Sequence, residues 1–196
     1  VIANKYNDRN ESENALKFYN ELLATHKDLH INMSEKANFE IAYEAFKNGD
    51  LILFDKFIDN NPQSSMAQRA LMAMIRFYKG RDNQVSELGV FSRALKMFPH
   101  DPNMLNAYAW RMTEIELNLE DALEKVRSAV ELSVDDDQKA QILDTEAEVL
   151  YKLNRWDDAI LVIEKALRID PSNDYFIEQK GKFVNAKREA RQHVPA

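Results

Sequence analysis

The sequence contains no cysteine, and this absence excludes several kinds of chemistry from its 196 residues. A chain without thiols forms no disulfides, offers no thiolate nucleophile and has no cysteine ligands for zinc. Glycine and proline are scarce, with 4 and 5 residues, and the prolines stand between segments of helical periodicity. No run of alternating valine, isoleucine or threonine indicates a strand. This composition predicts an all-α protein.

Long apolar runs and an excess of basic charge are absent as well. No segment approaches the roughly 20 consecutive apolar residues that a membrane-spanning helix needs. The formal net charge is −7 with both signs interspersed, so we expect neither nucleic-acid binding nor membrane insertion. The chain begins at Val1 rather than at methionine, and we expect it to be a fragment of a longer protein. The sequence therefore does not indicate the cellular compartment of the protein.

The stretch from residue 140 to residue 173 has the clearest pattern in the chain. It reads as two amphipathic helices joined by a short turn. The first helix has an apolar face at Leu143, Ala147, Leu150 and Leu153, and the second at Trp156, Ala159, Ile160, Ile163, Ala166 and Leu167. The small side chains of Ala159 and Ala166 allow two helix axes to approach closely, and Pro171 ends the second helix.

This stretch resembles a tetratricopeptide (TPR) unit, whose pattern has small residues in both helices and a closing proline. It departs from the pattern at Leu143, Leu150 and Ile163, where Trp, Tyr and Phe are frequent. Glu146 also stands at a usually apolar position. The resemblance implies an all-α, TPR-like α-solenoid of antiparallel helix hairpins that binds proteins or peptides as a non-catalytic scaffold.

The same order of small and apolar residues recurs along the chain. Alanines at 94, 129 and 166 are separated by 129 − 94 = 35 and 166 − 129 = 37 residues, close to the TPR period of about 34. We predict a single helical-repeat domain over residues 1–196. Its repeat units are residues 34–62 (degenerate), 64–99, 102–134 and 140–173, followed by a capping helix at about 174–191. An irregular helical domain with one such hairpin is the alternative, and whether a first helix before residue 31 belongs to the array is open.

No catalytic or cofactor-binding motif stands out. The sequence has no glycine-rich phosphate loop and none of the short motifs of nucleophilic catalysis. His26 and His30 are four residues apart on one predicted helix, but no metalloprotease pattern surrounds them, which favours surface histidines. The run from Asp135 to Asp137 lacks the glycine and distal glutamate of a calcium loop, and indicates a helix start. We expect no enzyme activity, no catalytic residue, no cofactor and no metal site.

In a stack of such hairpins the first helix of each unit lines the concave side, and this side is the predicted peptide-binding groove. The predicted groove residues are Leu71, Ile75 and Tyr78 in the second unit, Asn106, Trp110 and Glu114 in the third, and Asp144, Glu148 and Tyr151 in the fourth. For Trp110, packing between repeat units is an equally weighted alternative. Because Asp144 and Glu148 would repel an acidic tail, the predicted partner is a basic or neutral protein segment.

Two other functions remain open. The segments LNAYAWRMTEIELNLEDALEKV and ILDTEAEVLYKLNRWDDAI also resemble the helical repeat tails of some bacterial thioredoxin-like proteins, which are periplasmic or secreted. That resemblance implies an accessory domain whose redox domain is absent from this chain, since thiol chemistry requires cysteine. The second alternative is a self-associating scaffold, a homo-oligomer in which an exposed apolar end of the array pairs with itself.

Overall fold

The computed structural model describes residues 12–25 and 31–192, and within these ranges all regular structure is helical. The helices are α1 (Ser12–Thr25), α2 (Ile31–Lys47), α3 (Ile52–Asn60), α4 (Ser65–Lys79), α5 (Gln84–Met97), α6 (Pro102–Ile115), α7 (Leu119–Leu132), α8 (Asp136–Lys152), α9 (Trp156–Ile169) and α10 (Asp174–Gln192). The all-α prediction is confirmed. In the described ranges, every helix is too short or too polar to cross a membrane. His26 and His30 lie outside the described residues.

The chain divides into two compact units, Val1–Met97 and Phe98–Ala196, called here the N-terminal half and the C-terminal half. In the N-terminal half, α2 packs against α1, α3 and α4, and α4 packs against α3 and α5. In the C-terminal half, α8 packs against α6, α7 and α9, α6 packs against α7, and α10 packs against α9. The division into repeat units and one continuous domain over the whole chain stay predictions.

Side-chain caps explain where several helices begin. The Asp101 carboxylate accepts a hydrogen bond from the Met104 amide at 2.7 Å, just before Pro102 starts α6. The Asp135 carboxylate accepts one from the Gln138 amide at 2.8 Å. Because of this cap, α8 begins at Asp136, four residues before the start of the unit inferred from sequence (140 − 136 = 4). The acidic run therefore marks a helix N-terminus.

The core of the N-terminal half is rich in aromatic rings. The Phe46 and Phe54 rings stack with centroids 4.6 Å apart, and the Phe39 and Phe57 rings meet edge to face at 5.4 Å. Val85 is an apolar residue in the first turn of α5, but its side chain is 86% exposed. It lies two residues, or about 200° around the helix, from the buried line that begins at Glu87.

Small residues form the helix contacts of the C-terminal half. The fully buried alanines are Ala109 on α6, Ala122 and Ala129 on α7, Ala147 on α8, and Ala159 and Ala166 on α9. Ile163 is buried between the last two, as the sequence pattern predicts. On α10, Phe183 is buried whereas Val184 faces outward, because consecutive helical residues point about 100° apart.

A buried ion pair joins α7 to α8. Glu146, the acidic residue at a usually apolar repeat position, is buried in the structure. Its Oε1 accepts a hydrogen bond from Arg127 Nε on α7 at 3.0 Å. The long Arg127 side chain reaches the carboxylate while half of it stays in solvent. An acid is therefore tolerated here because its counter-ion comes from the preceding helix.

We predict that Ala159→Leu and Ala166→Leu each lower the free energy of unfolding by about 1–3 kcal/mol, because the larger side chain forces the packed helices apart. Urea denaturation followed by circular dichroism measures the change. Leu161→Ala on the same helix is the control: Leu161 is 59% exposed, and its truncation should change stability by less than about 0.5 kcal/mol. Unchanged stability in both alanine variants would contradict close packing at these positions.

Candidate functional site

In the C-terminal half, polar side chains connect α6 to α8 and α8 to α10. Three contacts do so: Gln138 Nε2 donates to Asn103 Oδ1 at 2.9 Å, Lys152 Nζ lies 2.7 Å from Glu116 Oε1, and Lys182 forms an ion pair with Glu148. The partners are 138 − 103 = 35, 152 − 116 = 36 and 182 − 148 = 34 residues apart. Residues one repeat apart in sequence are thus neighbours in space, and α6, α8 and α10 share one face.

Two predicted groove residues, Asp144 and Glu148, form a carboxylate pair one helical turn apart on α8. Each is only 6% exposed. Lys182 of α10 makes an ion pair with Glu148, and its Nζ lies 4.6 Å from the centroid of the Tyr151 ring. The pair is therefore enclosed beneath α10, and the ion pair with Lys182 balances one of its two negative charges.

The environment of Asp144 disfavours its ionised form. Burial and, secondly, the neighbouring Glu148 raise the pKa of Asp144 from 3.8 to about 6, against the opposing effects of a hydrogen bond from Tyr175 and the charge of Lys182. Its Oδ1 atom is buried without a hydrogen-bond partner. Negative charge at this position is thus held at a cost in folding free energy.

The remaining predicted residues of the C-terminal half are more accessible. Asn106, Trp110 and Tyr151 are half-buried. The Trp110 side chain is thus partly packed against the protein and partly exposed to solvent. Glu114 is exposed and pairs with Arg111 at 3.1 Å. Tyr151 keeps one part of its ring against Phe183 of α10, with centroids 5.2 Å apart. Trp110, Glu114 and Tyr151 therefore keep surface that a ligand can contact, whereas the Oδ1 atom of Asn106 is buried.

The predicted groove residues of the N-terminal half lie in a different environment. Leu71 and Ile75 are buried, and only Tyr78, beside Phe77 at 5.4 Å, is half-exposed. Both side chains belong to the buried face of α4, together with Ala67, Ala70 and Met74. Leu71 and Ile75 therefore contribute to packing rather than to an accessible surface.

A cavity of about 560 Å³ opens at the C-terminal end of α8 and is called here the Tyr151 pocket. Its lining residues are Glu116, Tyr151, Lys152, Asn154, Trp156, Ala186, Glu189 and Ala190. Tyr151 and Trp156 supply aromatic surface, and the charged residues are two glutamates and one lysine. A volume in this range suits a peptide side chain or a small organic group.

The sequence pattern did not identify Lys182, Trp156 and Glu116 as members of this region. Lys182 lies in a locally basic stretch of the sequence, and its distance of 34 residues from Glu148, one repeat, could have identified the pair. Trp156 was assigned to the packing face of α9, and nothing in its spacing distinguishes a packed ring from one that also lines a pocket. Glu116 lies just after α6, in a turn outside the periodic pattern.

Comparison with known proteins places these features in a fold class. The family model "Tetratricopeptide repeat" matches residues 140–173, the stretch that carries the sequence resemblance. No curated protein matches the sequence. The comparisons give no support to the resemblance to thioredoxin-like proteins.

Solved structures are similar over most of the chain. BtubC (BKLC) from P. vanneervenii has a TM-score of 0.64 at 13% identity, covering 89% of this chain and 79% of that chain. YrrB, a TPR protein with an unusual peptide-binding site, has a TM-score of 0.62 at 16% identity, covering 91% and 88%. PilW, a type IV pilus biogenesis factor, has a TM-score of 0.54 at 12% identity, covering 78% of each chain. The fold is that of a TPR-like α-solenoid, as predicted.

We predict that Asp144→Asn stabilises the protein at neutral pH. The folded-state pKa of Asp144 lies above its unfolded value, so ionisation destabilises the fold. This penalty is absent below about pH 4, grows as the pH rises towards 6, and is fully present above it. The variant should therefore gain about 1–3 kcal/mol in unfolding free energy at pH 7 and nothing at pH 4, as measured by urea denaturation.

The matched control for this change is Glu178→Gln, which removes a carboxylate from an exposed position of α10. Its stability should follow that of the unaltered protein at both pH values. An Asp144→Asn variant that is less stable than the unaltered protein at pH 7 would show that the carboxylate is favourably solvated, contrary to this description.

Proposed function

We propose that this TPR-like helical repeat protein is a non-catalytic interaction module whose C-terminal half binds a peptide segment carrying a basic residue. The observation that carries this proposal is the excess of carboxylates beside accessible aromatic rings. Asp144 and Glu148 face the single Lys182, and the Tyr151 pocket has two glutamates against one lysine. The carboxylate pair lies on α8, and the two glutamates of the pocket come from the end of α6 and from α10.

The Tyr151 pocket has the chemistry to receive a lysine or arginine side chain. Aromatic faces attract a cation by about 0.5–2 kcal/mol, depending on how far it is desolvated. Glu189 can accept a charge-assisted hydrogen bond from the same group, and Glu116, which already pairs with Lys152, can accept a second one through its other oxygen. The structure already holds the ammonium group of Lys182 at 4.6 Å from the Tyr151 ring, so this ring tolerates a cation at close range.

The carboxylate pair would act through its field rather than by contact. At 6% exposure, Asp144 and Glu148 offer a ligand almost no surface. Their incompletely balanced charge nevertheless attracts basic segments and repels acidic ones, and the partly desolvated environment strengthens both effects. In this proposal the charge of Asp144 and Glu148 selects basic partners, and the accessible side chains of the Tyr151 pocket bind them.

Trp110 and Glu114 on α6 provide a second contact area in this proposal. They lie one helical turn apart, and both are accessible from solvent. A half-buried tryptophan offers a large apolar surface at a small cost in conformational entropy, a property of residues that dominate protein interfaces. A segment lying along this face would then place a neutral or apolar side chain on Trp110.

We predict that a lysine-containing peptide binds at least about tenfold more tightly than the same peptide with each lysine replaced by glutamate. Fluorescence anisotropy of labelled peptides at low salt measures both affinities. Raising the salt concentration should reduce the difference, because screening weakens interactions among exposed charges. Equal affinities, or tighter binding of the acidic peptide, would refute a basic partner.

We further predict that Glu189→Lys weakens binding of the basic peptide about 5- to 20-fold, since it reverses a charge in the Tyr151 pocket. Glu178→Lys is the matched control, because it makes the same change at another exposed position of α10 and does not line the pocket. That control should change the affinity less than about twofold, and thermal melts of both variants should show an intact fold. Equal losses would reveal a net-charge effect without a pocket.

A further inference from the structure

The last helix repeats the pattern of the first helix of the preceding unit, although the family match ends at residue 173. Ile177, Gly181 and Val184 correspond to Leu143, Ala147 and Leu150 of α8: 177 − 143, 181 − 147 and 184 − 150 all equal 34. This offset is the TPR period of about 34 residues. In register, α10 is the first helix of another repeat unit.

The two helices differ in what covers these positions. On α8 all three residues are buried, and α9 packs alongside as the second helix of the hairpin. On α10, Ile177 is 50% exposed and Val184 is 44% exposed. A Cβ atom added at Gly181 would have no heavy atom within 4 Å. Ile177, Gly181, Val184 and Arg188, spaced by four, three and four residues, form one exposed line called here the α10 stripe.

We propose that the α10 stripe binds the α10 stripe of a second copy of this chain, with the two helices antiparallel and crossing at Gly181. The two copies are then related by a two-fold axis, and each presents the same surface to the other. Ile177 of one copy packs beside Val184 of the other, so that each apolar side chain loses its exposure.

Charge selects the antiparallel orientation. Asp174 lies seven residues before Gly181 (181 − 174 = 7) and Arg188 lies seven residues after it (188 − 181 = 7). An antiparallel pair centred on Gly181 therefore brings Asp174 of each copy to Arg188 of the other, giving two opposite-charge contacts. A parallel pair would instead place like charges together. Within the described residues, neither side chain is engaged in an ion pair.

The other surroundings of the stripe also permit this association. Lys180 and Lys187, beside the stripe, form ion pairs with Glu164 and Asp157 of α9, so their positive charges are already balanced. Gly181 has no side chain, and its absence lets two helix axes approach closely at the crossing. The Tyr151 pocket uses Ala186 and Ala190 on another face of α10, so this proposal does not depend on peptide binding.

The expected dimer is weak. Helix α10 has 19 residues, and two helices of that length bury less than the roughly 1,200 Å² of a stable specific interface. We therefore expect a monomer–dimer equilibrium that is visible as the protein concentration rises and has a dissociation constant in the range of about micromolar or weaker.

Sedimentation velocity over a wide concentration range tests the dimer directly. Gly181→Gln should weaken the association about tenfold or more, because a side chain at the crossing separates the helices. The space around Gly181 is open, so circular dichroism should show an unchanged fold. A chain that is monomeric at every concentration, or a dimer that is unaffected by Gly181→Gln, would overturn the proposal.

Charge reversal tests the orientation. Arg188→Glu alone should weaken the dimer, because it places two acidic residues opposite each other at both ends of the crossing. The double variant Asp174→Arg with Arg188→Glu should restore the association, since it exchanges the signs and recreates both contacts. Loss in the single variant without recovery in the double variant would overturn antiparallel pairing. Recovery would be unexpected for any unrelated partner of the stripe.

Discussion

Close contact between helices through alanine is the constraint on which the C-terminal half depends. Ala122, Ala129, Ala147, Ala159 and Ala166 are fully buried, and their small side chains set how near α7, α8 and α9 can approach. With the spacing fixed, residues one repeat apart come within hydrogen-bond distance, as Lys152 and Glu116 do at 2.7 Å. The polar face shared by α6, α8 and α10 is therefore a consequence of the close helix packing.

The same packing explains why negative charge persists where it is unfavourable. Asp144 is buried beneath α10, and burial raises its pKa to about 6. A residue chosen for stability alone would be apolar at this position, because an unpaired buried oxygen costs folding free energy. Some folding stability is therefore given up to keep a carboxylate at this position.

Most of the helical architecture follows from the sequence, because small residues at a fixed period leave few alternative packings. The pattern identified Ala159, Ala166 and the hairpin that they close. The pattern does not show which apolar residues a neighbouring helix covers. In the structure Val85 and Val184 are exposed, whereas Leu71 is buried. The carboxylate pair was predicted, but the role of Lys182 depends on where α10 docks, and a contact between distant segments has no local signal.

The ion pair between Glu146 and Arg127 has a consequence for assembly. Repeats of similar shape can stack in the wrong order or exchange hairpins between chains, which are characteristic errors of repeat proteins. A hairpin that docked on a helix without a basic side chain at this position would leave the Glu146 carboxylate without a counter-ion, at a cost of about 1–3 kcal/mol or more. Alanine contacts cannot make this distinction, because one small side chain fits as well as the next. The acid at a usually apolar position thus favours docking of this hairpin on its native neighbour, where the counter-ion is present.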